Sequence, residues 1–152
     1  MKKPQKPSEQ QAAIFQFFTE IDIIKQLSSA LLNKTLPDGL HVSHFAVISH
    51  LVRMGDGKTP LEIANVMQVT KATMTHTLNV LQKRKLIEVR ANPKDGRSKQ
   101  VFLTPAGQQF FGKAIGMVIA AYQPILAKCD VPQLLSTLPA LQALRKILDE
   151  NR

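Results

Sequence analysis

The segment Thr59 to Lys85, TPLEIANVMQVTKATMTHTLNVLQKRK, constrains the fold more than any other part of the chain. Thr59 and Glu62 with Pro60 between them make a helix start. The hydroxyl and the carboxylate each satisfy an orphan backbone amide, and proline sits where no N–H is needed. This helix is short, because Gln68-Val69-Thr70 turns the chain and Thr70 caps the next one. Leu61, Ala64 and Met67 are expected to face inward from the first helix. In the second, Met74, Leu78 and Leu81 recur at i, i+4 and i+7 and form its buried stripe. The opposite face carries Lys71, Thr73, Thr75, His76, Asn79 and Lys83. A short helix joined by three residues to an amphipathic one is the helix-turn-helix arrangement.

Two alternating runs follow, Leu86 to Arg90 and Gln100 to Leu103, which predict the strands of a hairpin. Between them Ala91 to Lys99 reads as a nine-residue loop, longer than an ordinary hairpin turn. Its tip presents Lys94, Arg97, Ser98 and Lys99, with Asp95 two residues before Arg97. The cations suit a phosphate backbone, and Arg97 suits a narrow A·T-rich minor groove. Asp95 reads either as simple turn chemistry or as a fork-like partner that aims the Arg97 guanidinium.

Long apolar helices flank this unit. Ile14, Phe17, Phe18, Ile21, Ile24, Leu27 and Leu31 stripe a helix that starts at Ser8 and stops before Pro37. Ser43 is read as the cap of the next helix, with Val42 and Val47 as a hydrophobic staple; that helix ends at the two glycines of MGDGK. Thr104 and Pro105 start a long helix bearing Phe110, Phe111, Ala114 and Val118, with Pro124 near its end. The leucines from Leu134 to Leu148 predict a last helix kinked at Pro139. The terminal helices are more apolar than one small domain needs, which points to a two-fold assembly.

The expected architecture is therefore mainly α with a small β-hairpin wing. Residues 1–7 form a basic arm, 41–105 a winged helix-turn-helix unit, and 8–34 with 106–150 a helical dimerisation region. The chain carries 20 Lys and Arg against 11 Asp and Glu, a net charge of +9, which favours a polyanionic partner. Residues 43–104 hold ten of those cations and four of the acids, so the basic excess sits with the helix-turn-helix. Carboxylates are sparse, there is no Gly-rich phosphate loop, and no cofactor or enzymatic activity is expected. The single cysteine, Cys129, excludes an internal disulfide and suits a reducing compartment. His41, His44 and His50 lie close in sequence but lack further metal ligands. With neither a signal sequence nor a membrane span in the sequence, a cytoplasmic protein is expected. A winged-helix module for protein or RNA, and a redox- or metal-sensing regulator, remain alternatives.

Leu61 to Arg90, together with KDGRSKQVFLTPAG from Lys94 to Gly107 and the apolar helices at both ends, resembles the MarR (multiple antibiotic resistance regulator) family. The resemblance implies a homodimer that binds palindromic operator DNA, usually as a repressor, with many members released by a small ligand. Thr70, Lys71, Thr73, Thr75, His76, Asn79 and Lys83 would then line the recognition helix, and Lys94, Asp95, Arg97, Ser98 and Lys99 the wing. A small aromatic or amphipathic effector would sit near Phe15, Phe18, Phe45 and Phe111. The family often has Arg at His76, and Asp at Asn79 and Asn92. It favours Gly at Lys85, where a left-handed helix end would cost lysine about 1 kcal/mol more.

Overall fold

A computed structural model of the chain describes residues 8–151; the basic arm read at 1–7 lies outside the described residues. Helix α1 (Glu9–Thr35) starts at Ser8, whose hydroxyl accepts from the Gln11 N–H while the Gln11 side chain accepts from the Ser8 N–H. A single 3-10 turn at Pro37–Gly39 then leads into α2 (Val42–Met54). Helices α3 (Pro60–Met67) and α4 (Lys71–Lys83) follow, then the antiparallel strands β1 (Ile87–Asn92) and β2 (Asp95–Leu103). Helix α5 (Pro105–Leu126) and the shorter α6 (Val131–Ser136) and α7 (Leu138–Glu150) complete the chain.

The core lies in the middle of the sequence. Val47, Ile48 and Leu51 from α2 meet Ile63 and Ala64 from α3, and Met74, Leu78 and Leu81 from α4. Ile87, Val101, Phe110 and Ala114 close it from the strands and α5. Each fully buried aliphatic side chain contributes about 1.5–3 kcal/mol, so this cluster holds the helix-turn-helix in shape. Helices α1, α6 and α7 supply no buried residue. Their side chains Phe15, Ile24, Leu27, Leu135 and Ile147 are all more than half exposed. The Ser28 and Tyr122 hydroxyls share a hydrogen bond that ties α1 to α5. Among the described residues no single helix is long and apolar enough to cross a membrane.

Four local expectations are corrected. First, α2 is capped at His41, not Ser43: His44 Nδ1 accepts from the His41 N–H at 2.9 Å, which puts Ser43 inside the first turn. The staple positions shift with it, to Leu40 and Phe45 in place of Val42 and Val47. Second, the inner face of α3 is Ile63, Ala64 and Met67; Leu61 is 57% exposed. Third, the strands run into the stretch read as a nine-residue loop and leave only Pro93 and Lys94 between them. Fourth, Pro139 begins a new helix instead of kinking one. It has no N–H to continue the ladder, and Thr137 closes α6 with its N–H and hydroxyl both on Leu134 O.

Candidate nucleic-acid interface

The exposed side of α4 is built by its cap. Thr70 Oγ1 accepts from the Thr73 N–H at 3.2 Å and lies 2.9 Å from Thr73 Oγ1, so the two hydroxyls are engaged with each other. Thr75 Oγ1 donates to Lys71 O at 2.9 Å. Lys71, Ala72, Thr75, His76 and Asn79 line one shallow, open hollow. Lys83 is exposed one turn beyond Asn79, and the first turn of the helix holds no acid. The N–H groups at this helix start and the lysine ammoniums favour an anion there.

The turn before α4 depends on Gln68, held at φ 53°, with its side-chain amide donating to Asn65 O at 2.6 Å. The helix before the turn is fixed by the predicted box: Glu62 accepts from the Thr59 N–H at 2.7 Å and from its hydroxyl at 2.9 Å. Those two bonds hold the Glu62 carboxyl below its usual pKa.

The wing tip is a compact polar turn. Asn92 pairs with Asp95, and the register shifts between Ala91 and Asn92 so that Gly96, Arg97 and Ser98 bulge from β2. Asp95 Oδ1 accepts from the Arg97 backbone N–H at 3.0 Å. It does not fork the Arg97 guanidinium; of the two readings of Asp95, turn chemistry is the observed one. Ser98 is inward-turned: its hydroxyl donates to Asp95 O and accepts from the Asn92 amide. With these groups occupied, Lys94, Arg97 and Lys99 stand exposed and make no ion pair with another described residue.

Contacts that were not legible in the sequence hold the wing to the helices. The loop after α2 adds a third short rung, with Lys58 bridging Val101. Asp56 Oδ1 accepts from the Leu103 N–H at 2.7 Å, and the Gln100 amide donates to Gly57 O at 3.0 Å. The sequence offered two glycines there and hence only a helix stop. Arg90 lies over the Phe102 ring at 4.5 Å and donates twice to Glu88. At the far end of α4, Lys85 takes φ 59°, the left-handed end anticipated for that position. Thr104 Oγ1 donates to Lys85 O and accepts from the Gly107 N–H. A Cβ on Gly107 would lie 2.1 Å from Leu86 O, so only glycine permits this approach of α5 to β1.

His44 is buried beneath this unit. Burial first, then the neighbouring His41 and His76 imidazoles, push its pKa below the usual histidine value. His50 is lowered too, again chiefly by burial. Among the described residues no group of three or more His, Cys, Asp and Glu side chains is arranged to hold a metal. Cys129 is exposed, with its thiol donating to Ile125 O. Of the four phenylalanines expected near an effector, Phe45 and Phe111 stack at 5.8 Å, Phe18 meets Phe17 edge-on, and Phe15 is 76% exposed. The structure thus pairs two of them and leaves Phe15 and Phe18 elsewhere on α1.

A capped helix-turn-helix, a following hairpin pinned to the loop before it, and flanking helices together define a winged helix-turn-helix protein. Residues 38–98 match the family model described as MarR family, and the fold is that of solved MarR-family proteins. The chain is similar to a probable transcriptional regulator from Pseudomonas aeruginosa, with 26% identity over 84% of this chain and 95% of that one, at a TM-score of 0.69. It shares its fold with a mutant MarR from E. coli complexed with operator DNA (22% identity, 90% and 99% covered, TM-score 0.72). The same fold is found in Bordetella bronchiseptica BpsR, whose DNA binding is regulated by 6-hydroxynicotinic acid (21% identity, 86% and 98% covered, TM-score 0.72). No curated protein matches the chain.

Proposed function

We propose that the protein is a homodimeric, sequence-specific double-stranded DNA-binding transcription regulator, a repressor released by a small aromatic or amphipathic ligand. Residues 41–105 form its DNA-reading unit, and 8–34 with 106–150 its dimerisation region. The observation that carries this reading is the pairing of two cationic surfaces on one rigid unit. One is the acid-free face of α4, with Thr70, Lys71, Thr73, Thr75, His76, Asn79 and Lys83. The other is the wing, with Lys94, Arg97 and Lys99 exposed and in no ion pair with another described residue. Helix α4 enters the major groove, and Arg97 reaches the adjacent minor groove. Asp95 and Ser98 shape the tip that presents it.

The operator complex of a protein with the same fold supports the DNA partner, and BpsR supports an effector. The uncovered apolar faces of α1, α6 and α7 support the homodimer, and a palindromic operator follows from two-fold symmetry. Phe45 and Phe111, stacked between α2 and α5, wall the effector site, with Phe15 and Phe18 on the α1 side.

Binding of the purified protein to duplex from its own upstream region tests this reading. A steep fall of affinity with salt and a preference over random duplex are expected. Equal affinity for both duplexes would remove the regulator function. Arg97→Ala is expected to weaken operator binding by about 1–3 kcal/mol with the fold intact; unchanged affinity would remove the wing from the contact. The effector is tested by adding aromatic acids and cationic drugs to the bound complex, and release by none of them would count against the ligand site.

A further inference from the structure

The chemistry left free on α4 narrows what the helix reads; this step rests on the DNA-binding function proposed above. The hollow formed by Lys71, Ala72, Thr75, His76 and Asn79 is one continuous surface. Its threonine neighbours offer few protons. Thr70 and Thr73 hydroxyls are engaged with each other, and the Thr75 hydroxyl donates to Lys71 O. Thr75 therefore presents a methyl group and a lone pair, and Ala72 beside it adds a second methyl. Asn79 lies four residues beyond Thr75, on the same helical line. Its amide is exposed and makes no hydrogen bond with another described residue. No arginine lines the hollow; its lysine, Lys71, stands at its N-terminal edge, and His76 adds a single imidazole that cannot give one base the two-pronged donor pair of a guanidinium.

These groups match one kind of base pair. Adenine offers an acceptor at N7 and a donor at N6, which an asparagine amide satisfies with two hydrogen bonds. Thymine offers a methyl group, which packs against methyls. Guanine calls for two donors, from arginine or lysine, and the centre of this surface has neither. We infer that the central major-groove steps of each half-site are A·T pairs, with Asn79 reading an adenine and the Ala72 and Thr75 methyls packing on thymine. Asn79 is then the specificity-determining residue of the helix.

The test is selection of bound duplexes from a random double-stranded library by the full-length protein, repeated with Asn79→Ala. Asn79 is exposed, so the variant keeps the fold. The expected result is an enriched palindrome with an A·T step in each half-site, at which the wild type discriminates by about 10–100-fold and Asn79→Ala does not. Replacing that adenine with 7-deazaadenine removes its N7 acceptor; it should weaken the wild type and leave Asn79→Ala unchanged. Replacing the neighbouring thymine with deoxyuridine should weaken both proteins. An enriched site whose base preferences are the same in both proteins overturns the assignment of Asn79 while leaving the regulator function standing. So does a site with G·C pairs at the central steps. No enriched site at all overturns both.

Discussion

Lys85 holds a backbone angle that glycine adopts at little cost. Lys85→Gly is expected to raise stability by about 0.5–1 kcal/mol, read as a higher denaturant midpoint at unchanged slope. The reverse holds at Gly107, where a methyl would collide with Leu86 O. Gly107→Ala should cost about 2–3 kcal/mol or more, and with it the docking of α5 on β1. His44 sets a pH dependence. Its folded-state pKa lies below the unfolded value, so the unfolded chain takes up the proton first as pH falls. The stability this represents is present above pH ~6.5 and is lost as pH drops through that value. His50 acts in the same direction. Melting temperature should therefore fall between pH 7.5 and 5, and His44→Gln should flatten part of the fall. Lys85 was legible through the family resemblance, which favours glycine at that position. His44 was not, since its capping bond and its burial both come from where α2 starts, two residues earlier than a Ser43 cap would set it.

At the scale of elements, the strong starts were the readable ones. Ser8, Thr59, Thr70 and Thr104 each cap a helix as their residue types suggest. The wing was half readable. Its alternation ends where polar residues begin, so the pattern could not show that strand pairing continues through them to Asn92 and Asp95. What carries the pairing there is a side-chain network of Asn92, Asp95 and Ser98, which periodicity does not reveal. The length of a loop is thus no longer an argument for contact at the tip; the exposed cations are. The loop after α2 is the other hidden part. Asp56→Ala should leave the Leu103 amide without its partner and cost about 1–2 kcal/mol. Hydrogen exchange at that amide is the measurement that checks it.

For the whole molecule, the terminal helices carry wide apolar stripes, and α1, α6 and α7 have no fully buried residue in the single chain. A solution mass at micromolar concentration should be that of two chains, and a single-chain mass would contradict the homodimer. The order of the core explains why the central unit was legible from local patterns alone, while the pairing of the ends was not. The core is made from elements that are neighbours in sequence, Leu36 through Ala114, whereas α1 meets α5 and the start of α2, and α6 meets α7, through partly exposed side chains. Gly107 also gives the molecule its mechanics. With no room between α5 and Leu86, and with Asp56 gripping Leu103, the end of α4, the wing and the start of α5 are packed as one piece, like a head on a rigid neck. A tilt of a few degrees along that 22-residue helix becomes a displacement at the wing tip, with no hinge at this junction to absorb it.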